Sequence, residues 1–136
     1  MSRADISQAM EVHLKNLPNR PATAWENVNF NPTTGVGYIS AFMLFAEPND
    51  VGYKDSPYIQ RGYMQVGVHW PTNTGAGAAQ EQAEAIAAWF KRGTSLANDG
   101  ITVIIDKTPE ITGGSIEDGR YVVRVRVRFF CRVQPA

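Results

Sequence analysis

The stretch Arg120–Val133 holds the residues whose spacing most suggests chemistry. Four arginines share one side of it: Arg124, Arg126, Arg128 and Arg132. Guanidinium groups bind carboxylates and phosphates through paired hydrogen bonds. Like charges on one face of a strand repel one another unless something neutralises them. The row is therefore either a solvated face paired with acids on neighbouring strands, or a contact surface for another subunit or an acidic partner.

A nucleic-acid interface is a further alternative, because Tyr121 or Phe130 could stack on bases beside the arginines. The whole-chain charge argues against it. Thirteen basic and thirteen acidic residues give a formal net charge of zero, whereas nucleic-acid binders usually carry a basic excess. We therefore expect no nucleic-acid partner, although a binding module of this kind would reveal itself by steeply salt-dependent affinity.

The other residues that could do chemistry lie apart in the sequence. The glycine-rich segment 74–78 precedes a predicted helix and could cradle a phosphate, but it lacks the Lys-Ser/Thr of a P-loop. His13 falls on the apolar stripe of a helix, and His69 has no second histidine or cysteine nearby to complete a metal site. Cys131, the single cysteine, falls in an apolar row. We therefore expect no catalytic residue, metal or cofactor, and we expect that the protein is not an enzyme.

Periodicity predicts the elements that position the arginine row. Apolar residues at three- and four-residue steps predict helices over about 3–16 and about 76–91. Alternation and β-branched residues predict strands over 38–45, 61–70, 101–105 and 120–133. In the last strand the opposite side is apolar and must be covered: Val123, Val125, Val127, Phe129, Cys131 and Val133. We expect the helices to cover it.

The element order predicts the fold class. Helix, strand, strand, helix, strand, strand (α-β-β-α-β-β) is typical of an α+β protein with a four-stranded, mainly antiparallel sheet and two helices packed on one face. A hydrophobic content of 43% over 136 residues suits one globular domain, 1–136. The strand at 38–45 is apolar on both faces, which predicts a central strand or an interface.

The segment 46–60 is too long for a simple hairpin, and long loops in small domains are usually functional or mobile. Its aromatic and charged residues suit protein contacts. We predict that this segment and the strand after it contribute interface residues together with the arginine row: Tyr53, Lys54, Asp55, Tyr58 and Arg61.

The sequence contains no apolar run of about 20 residues, so we expect no membrane association. Its first residues lack the apolar centre of a signal peptide. These features predict a protein that is made and kept in a cytoplasm.

The order of several motifs resembles the tail-terminator, or tail-completion, proteins of long-tailed bacteriophages and prophages. The motifs span essentially the whole chain: Met1–Met10, Ala24–Val28, Arg61–Pro71, Gly75–Gln80, Phe90–Leu96, Val103–Glu110 and Asp118–Arg128. They are structural rather than chemical, so each one is weak by itself.

The resemblance implies a structural assembly protein without catalytic residues. Members form a ring, usually hexameric, on the last ring of the major tail-tube protein, stop growth of the tube and present a surface to the head–tail connector. The implied location is the head-proximal end of the virion tail, reached by assembly in the bacterial host cytoplasm. Another neck or tail-completion subunit of related fold is an alternative.

Overall fold

A computed structural model describes residues 2–73 and 75–134, without the side chain of Ser2. In this part of the chain there are two helices, α1 (Ser2–Lys15) and α2 (Gly77–Trp89). The strands are β1 (Ala22–Trp25), β2 (Tyr38–Phe45), β3 (Asn49–Asp50), β4 (Tyr58–Pro71), β5 (Ser95–Asn98), β6 (Ile101–Ile104), β7 (Glu110–Ile111), β8 (Ser115–Glu117) and β9 (Arg120–Val133).

The prediction of a four-stranded sheet is wrong. The nine strands of the described residues form one mixed sheet that curves into a half-barrel, with the order β1-β2-β4-β9-β6-β5. Strand β1 joins β2 in parallel, and the other pairs are antiparallel. The additional strands have two to four residues, too few to show alternation. Their extended conformation comes from pairing with longer strands, so the α+β class holds but the strand number does not.

Strand β9 is the central element of the sheet. Along one edge it pairs with β4 over its whole length, from Tyr58 opposite Val133 to Pro71 opposite Arg120. Along the other edge it pairs in turn with β6, β7 and β8. Both edges of β9 are therefore hydrogen-bonded, and the predicted long strand at 120–133 is confirmed.

The apolar row of β9 forms the middle of the core. Its residues are at most 6% exposed. Both helices pack on this face in a single apolar cluster, α1 through Ile6, Met10 and Leu14, and α2 through two buried alanines and Ile86. The four-residue spacing of the α1 residues places them on one stripe. Alanines in α2 let that helix lie close to the sheet.

The two helices are joined by a contact between His13 and Trp89. The rings stack with centroids 4.8 Å apart. Trp89 Nε1 donates to the carbonyl of His13 at 2.6 Å, and His13 Nε2 lies 2.8 Å from the carbonyl oxygen of Trp89. His13 is thus a packing residue that orients α1 against α2.

Replacing Val125 by aspartate should destroy cooperative folding, because Val125 is fully buried in the middle of β9. A buried unpaired charge costs more than about 4 kcal/mol, a large part of the roughly 5–15 kcal/mol that stabilises a domain. The matched control is Ile116→Asp on β8, where the side chain is 64% exposed. Chemical denaturation should show a native-like transition for the control only. Equal stabilities would contradict this assignment of the core face.

Candidate interaction surfaces

The arginine row lies on the sheet face opposite the helices, among polar residues of β4. Register places Arg124 opposite Gly67, Arg126 opposite Gln65, and Arg128 opposite Tyr63. Most of the row is half-buried, and only Arg132 is classed as exposed. The contacts of each arginine show whether its charge has a partner within the chain or is left for an outside partner.

Arg124 is neutralised by Glu117 on the adjoining strand β8. Its Nη1 and Nη2 donate to the two carboxylate oxygens, each at 2.6 Å. Ser115 Oγ donates to the same carboxylate at 2.8 Å. These hydrogen bonds, the one from Arg124 first, lower the pKa of Glu117 to about 2. The bidentate geometry is the one that arginine favours with carboxylates, so this pair fixes β8 against β9.

Arg126 and Arg128 flank the ring of Tyr63. Their Cζ atoms lie 4.5 and 5.8 Å from its centroid, a distance range that allows cation–π attraction. Arg126 Nη2 also donates to Gln65 Oε1 at 3.4 Å, and Arg128 approaches Glu110 at 3.8 Å. Neighbouring strands therefore supply a π face, an amide and a carboxylate to this part of the row.

Arg61 and Arg132 complete the predicted basic residues. Arg61 Nη1 donates to Asp106 Oδ2 at 3.3 Å, and its Cζ lies 5.5 Å from the ring centroid of Phe130. The side chain of Arg132 makes no hydrogen bond or ion pair with any residue in the described ranges. The reading of the row as paired with acids on neighbouring strands accordingly fits Arg124 and Arg128.

One arginine that was not proposed as a site residue, Arg120, organises a loop. It donates to the carbonyls of Val36 at 2.7 Å and Thr33 at 2.9 Å. Its Cζ also lies 5.0 Å from the ring centroid of Tyr38. Arg120 therefore ties the loop before β2 to the start of β9. The sequence shows Arg120 at the start of a predicted strand. It does not reveal the contact, because the carbonyl partners are 84 and 87 residues away in sequence.

Ser40 and His69 form a pairing that resembles a nucleophile and its base. Ser40 Oγ and His69 Nε2 share a hydrogen bond of 2.9 Å across Gly67, where a Cβ would lie 2.9 Å from both atoms. The imidazole stacks on Tyr38 with centroids 4.5 Å apart. Ser40 is in mid-strand between β1 and β4, where backbone N–H groups pair in the sheet instead of forming an oxyanion hole. The pair is therefore a cross-strand structural contact.

The predicted interface segment 46–60 is a hairpin rather than a loose loop. We call residues 46–61 the hairpin arm. Strand β3 pairs with the start of β4, and buried Gln60 donates to the carbonyls of Ala46 and Arg61 at 2.8 and 2.9 Å. Ser56 closes the tip through two hydrogen bonds to the carbonyl of Tyr53. These bonds stabilise the hairpin conformation of the arm.

The predicted interface residues of the arm differ in their exposure to solvent. Tyr53 is 89% exposed at the tip, and Lys54 and Asp55 are exposed beside it, Lys54 with φ 59°. Tyr58 instead packs against the core as β4 begins. Tip residues, not the strand residue, are thus available to a partner.

A groove of about 640 Å³ opens beside the base of the arm. We call it the basic groove. Its apolar side comes from Leu44, Phe45, Tyr63 and Phe129, and its charged side comes from Arg61, Lys107, Arg128 and Asp106. On the same face as the arginine row, β2 leaves Phe42 37% and Leu44 42% exposed. Both faces of β2 are apolar, as predicted, but the face on this side of the sheet is partly exposed to solvent.

Other candidate sites contribute less. Thr74 of the glycine-rich segment lies outside the described residues, and its neighbour Gly75 has a positive φ of 82°. Within residues 2–73 and 75–134 no cluster of histidine, cysteine and acidic residues could hold a metal ion. No helix of that part is long and apolar enough to cross a membrane.

Comparison with known proteins decides the family. A family model described as "Phage tail terminator protein" matches residues 5–129. The chain belongs to the phage tail terminator family. Membership gives the chain a structural role in a phage tail and a virion-associated location. The family assignment made from the sequence motifs is confirmed.

Two solved structures share the fold. One chain has a TM-score of 0.75 and 22% identity, with 100% of this chain and 99% of that chain covered. The other belongs to the virion of a native gene transfer agent particle, with a TM-score of 0.57, 16% identity, and 98% and 95% covered. No curated protein sequence matches the chain.

Acid should destabilise the protein through His69. Burial first, then repulsion from Arg124 and Arg120, lowers the pKa of His69 below 6.5. In the unfolded chain His69 takes up a proton at a higher pH than in the folded chain. The contribution of neutral His69 to the unfolding free energy is therefore complete above pH about 6.5 and is lost as the pH falls below it. Between pH about 7.5 and about 5.5, the unfolding free energy of the native sequence should fall more than that of His69→Gln. Parallel pH profiles from chemical denaturation would refute this.

Proposed function

We propose that this protein caps the tail tube as a homo-oligomeric ring, a hexamer, at the head-proximal end of the tail. The ring ends tube growth on the last ring of the major tail-tube protein and offers the head–tail connector a joining surface. The role is non-enzymatic, and assembly takes place in the bacterial host cytoplasm. The observation that carries the proposal is the family match over residues 5–129, which extends from α1 into β9.

The surface of the molecule supports assembly into a ring. A closed ring requires two different lateral surfaces on each subunit, because each contact is heterologous. The hairpin arm and the basic groove are two such surfaces, and the exposed Phe42 and Leu44 add apolar area next to the groove. Such exposed aromatic, apolar and arginine residues are typical of protein interfaces.

The nucleic-acid alternative is weakened by the state of the arginine row. Arg124 is bound to Glu117, and Arg126 and Arg128 flank Tyr63. Releasing Arg124 and Arg126 for phosphates would leave the Glu117 carboxylate and one side of the Tyr63 ring without their partners. The formal net charge of zero points the same way. We therefore favour protein partners over DNA or RNA.

Tail assembly in the presence and absence of the protein tests the proposal. Tubes assembled without it should continue to grow and vary in length, and they should not join heads. Adding the protein should stop elongation at one end and allow joining, since a bound ring blocks the next layer of tube subunits. Electron microscopy measures both effects. Val125→Asp protein serves as the misfolded control. Unchanged tube length and head joining with folded protein would refute the proposed function.

A further inference from the structure

The hairpin arm and the basic groove have opposite charge. Between Ala46 and Gln60 the arm carries three exposed acidic residues, Glu47, Asp50 and Asp55, and one basic residue, Lys54. Arg61, at the base of the arm, lines the groove. The groove is lined by three basic residues and Asp106, and Glu110 lies beside Arg128. The groove thus keeps a basic excess while the arm keeps an acidic one. Complementary potentials of this kind orient protein partners and fix their register.

We propose that the tip of the arm of one copy inserts into the basic groove of the next copy, with Tyr53 against the apolar side of the groove and Asp55 near Lys107. The inference rests on the proposed ring and names the contact that would build it. Two different surfaces meet in this contact, as a heterologous ring requires.

The arm is built for contact rather than for folding. Tyr53 is 89% exposed and Val51 is 59% exposed, so neither contributes to the core. The hydrogen bonds of Gln60 and Ser56 hold the arm before any partner arrives. An arm held by internal hydrogen bonds loses less conformational freedom on binding than an unstructured loop does, and a tyrosine provides a large contact area with few rotatable bonds.

The groove can accept a new charged partner at low cost. Its pair Arg61–Asp106 has side chains that are 50% and 33% exposed, and Arg128–Glu110 spans 3.8 Å. Exposed ion pairs of this kind stabilise a fold little and exchange easily. Lys107 is exposed and makes no hydrogen bond or ion pair with another described residue. Its ammonium group is therefore available to an incoming carboxylate.

The tip does not fill the groove of its own chain. The groove is lined by Ala46, Arg61 and Gly62 at the base of the arm. The ladder of β3 with β4 carries the chain away from that base, and Tyr53 lies seven residues beyond Ala46. At about 3.3 Å per extended residue, the three residues from Arg61 to Tyr58 carry the chain about 10 Å from the base, and Tyr53 at the tip is 89% exposed. In the proposed contact a second copy therefore supplies the tip.

Charge reversal tests the contact between copies. Asp55→Lys and Lys107→Glu should each weaken association by at least about tenfold, and the double variant should recover most of the loss. Native mass spectrometry measures association in solution, and sedimentation with isolated tail tubes measures it when the tube is the template. Neither residue contacts the core, so the variants should fold normally. The matched controls are Glu81→Lys and Lys91→Glu, exposed residues outside both surfaces, which should change nothing.

A cysteine pair tests the geometry independently. Asp55→Cys combined with Lys107→Cys should form disulfides between copies under oxidation, giving a ladder of covalent oligomers on a denaturing gel. Cys131 is fully buried and should not interfere. Each single variant should remain monomeric on the gel.

The outcomes separate this contact from the proposed function. Rings that form and cap tubes normally in both charge variants, with no disulfide ladder, would overturn the contact and leave the terminator role standing. Wild-type protein that neither self-associates nor binds tubes would overturn both. Loss in the single variants, recovery in the double variant and a ladder in the cysteine pair would establish the contact.

Discussion

The alternating side chains of β9 are the constraint on which the rest of the structure depends. One row is apolar and must be removed from water, and the other row is largely arginine and must be neutralised or hydrated. The helices cover the apolar row from one side of the sheet, and side chains of the flanking strands provide partners for the arginines. Because β4 pairs with β9 along its whole length, the same register sets both faces at once. A slip of one residue would exchange them.

The partners that the arginines find within the sheet limit which surfaces remain for the proposed contact between copies. Glu117, Tyr63, Gln65 and Glu110 occupy most of the row. The surfaces left over are the hairpin arm and the basic groove, to which Arg128 of the row also contributes. In this account, the arginine row is a structural device that holds short strands to β9, and contacts between copies use parts of the chain that contribute little to folding.

Sequence patterns predicted the elements with strong periodicity and missed those without it. The alternation in β9 and the apolar stripe in α1 were sufficient to predict these two elements, because each pattern repeats over many residues. Strands β3 and β7 have two residues each, so their extended form is set by tertiary pairing rather than by local sequence. The interface residues of the arm were proposed from composition, but the burial of Tyr58 followed from register. The Ser40–His69 contact required knowing that β2 lies beside β4.

Imaging the ends of tail tubes with bound protein would test the central claim most directly. Cryo-electron microscopy should show a single ring of this chain at one end of each tube, with none along the shaft. The density should place both helices and the half-barrel in every subunit. Protein bound along the shaft, bound at no defined end, or present as isolated monomers would contradict the account.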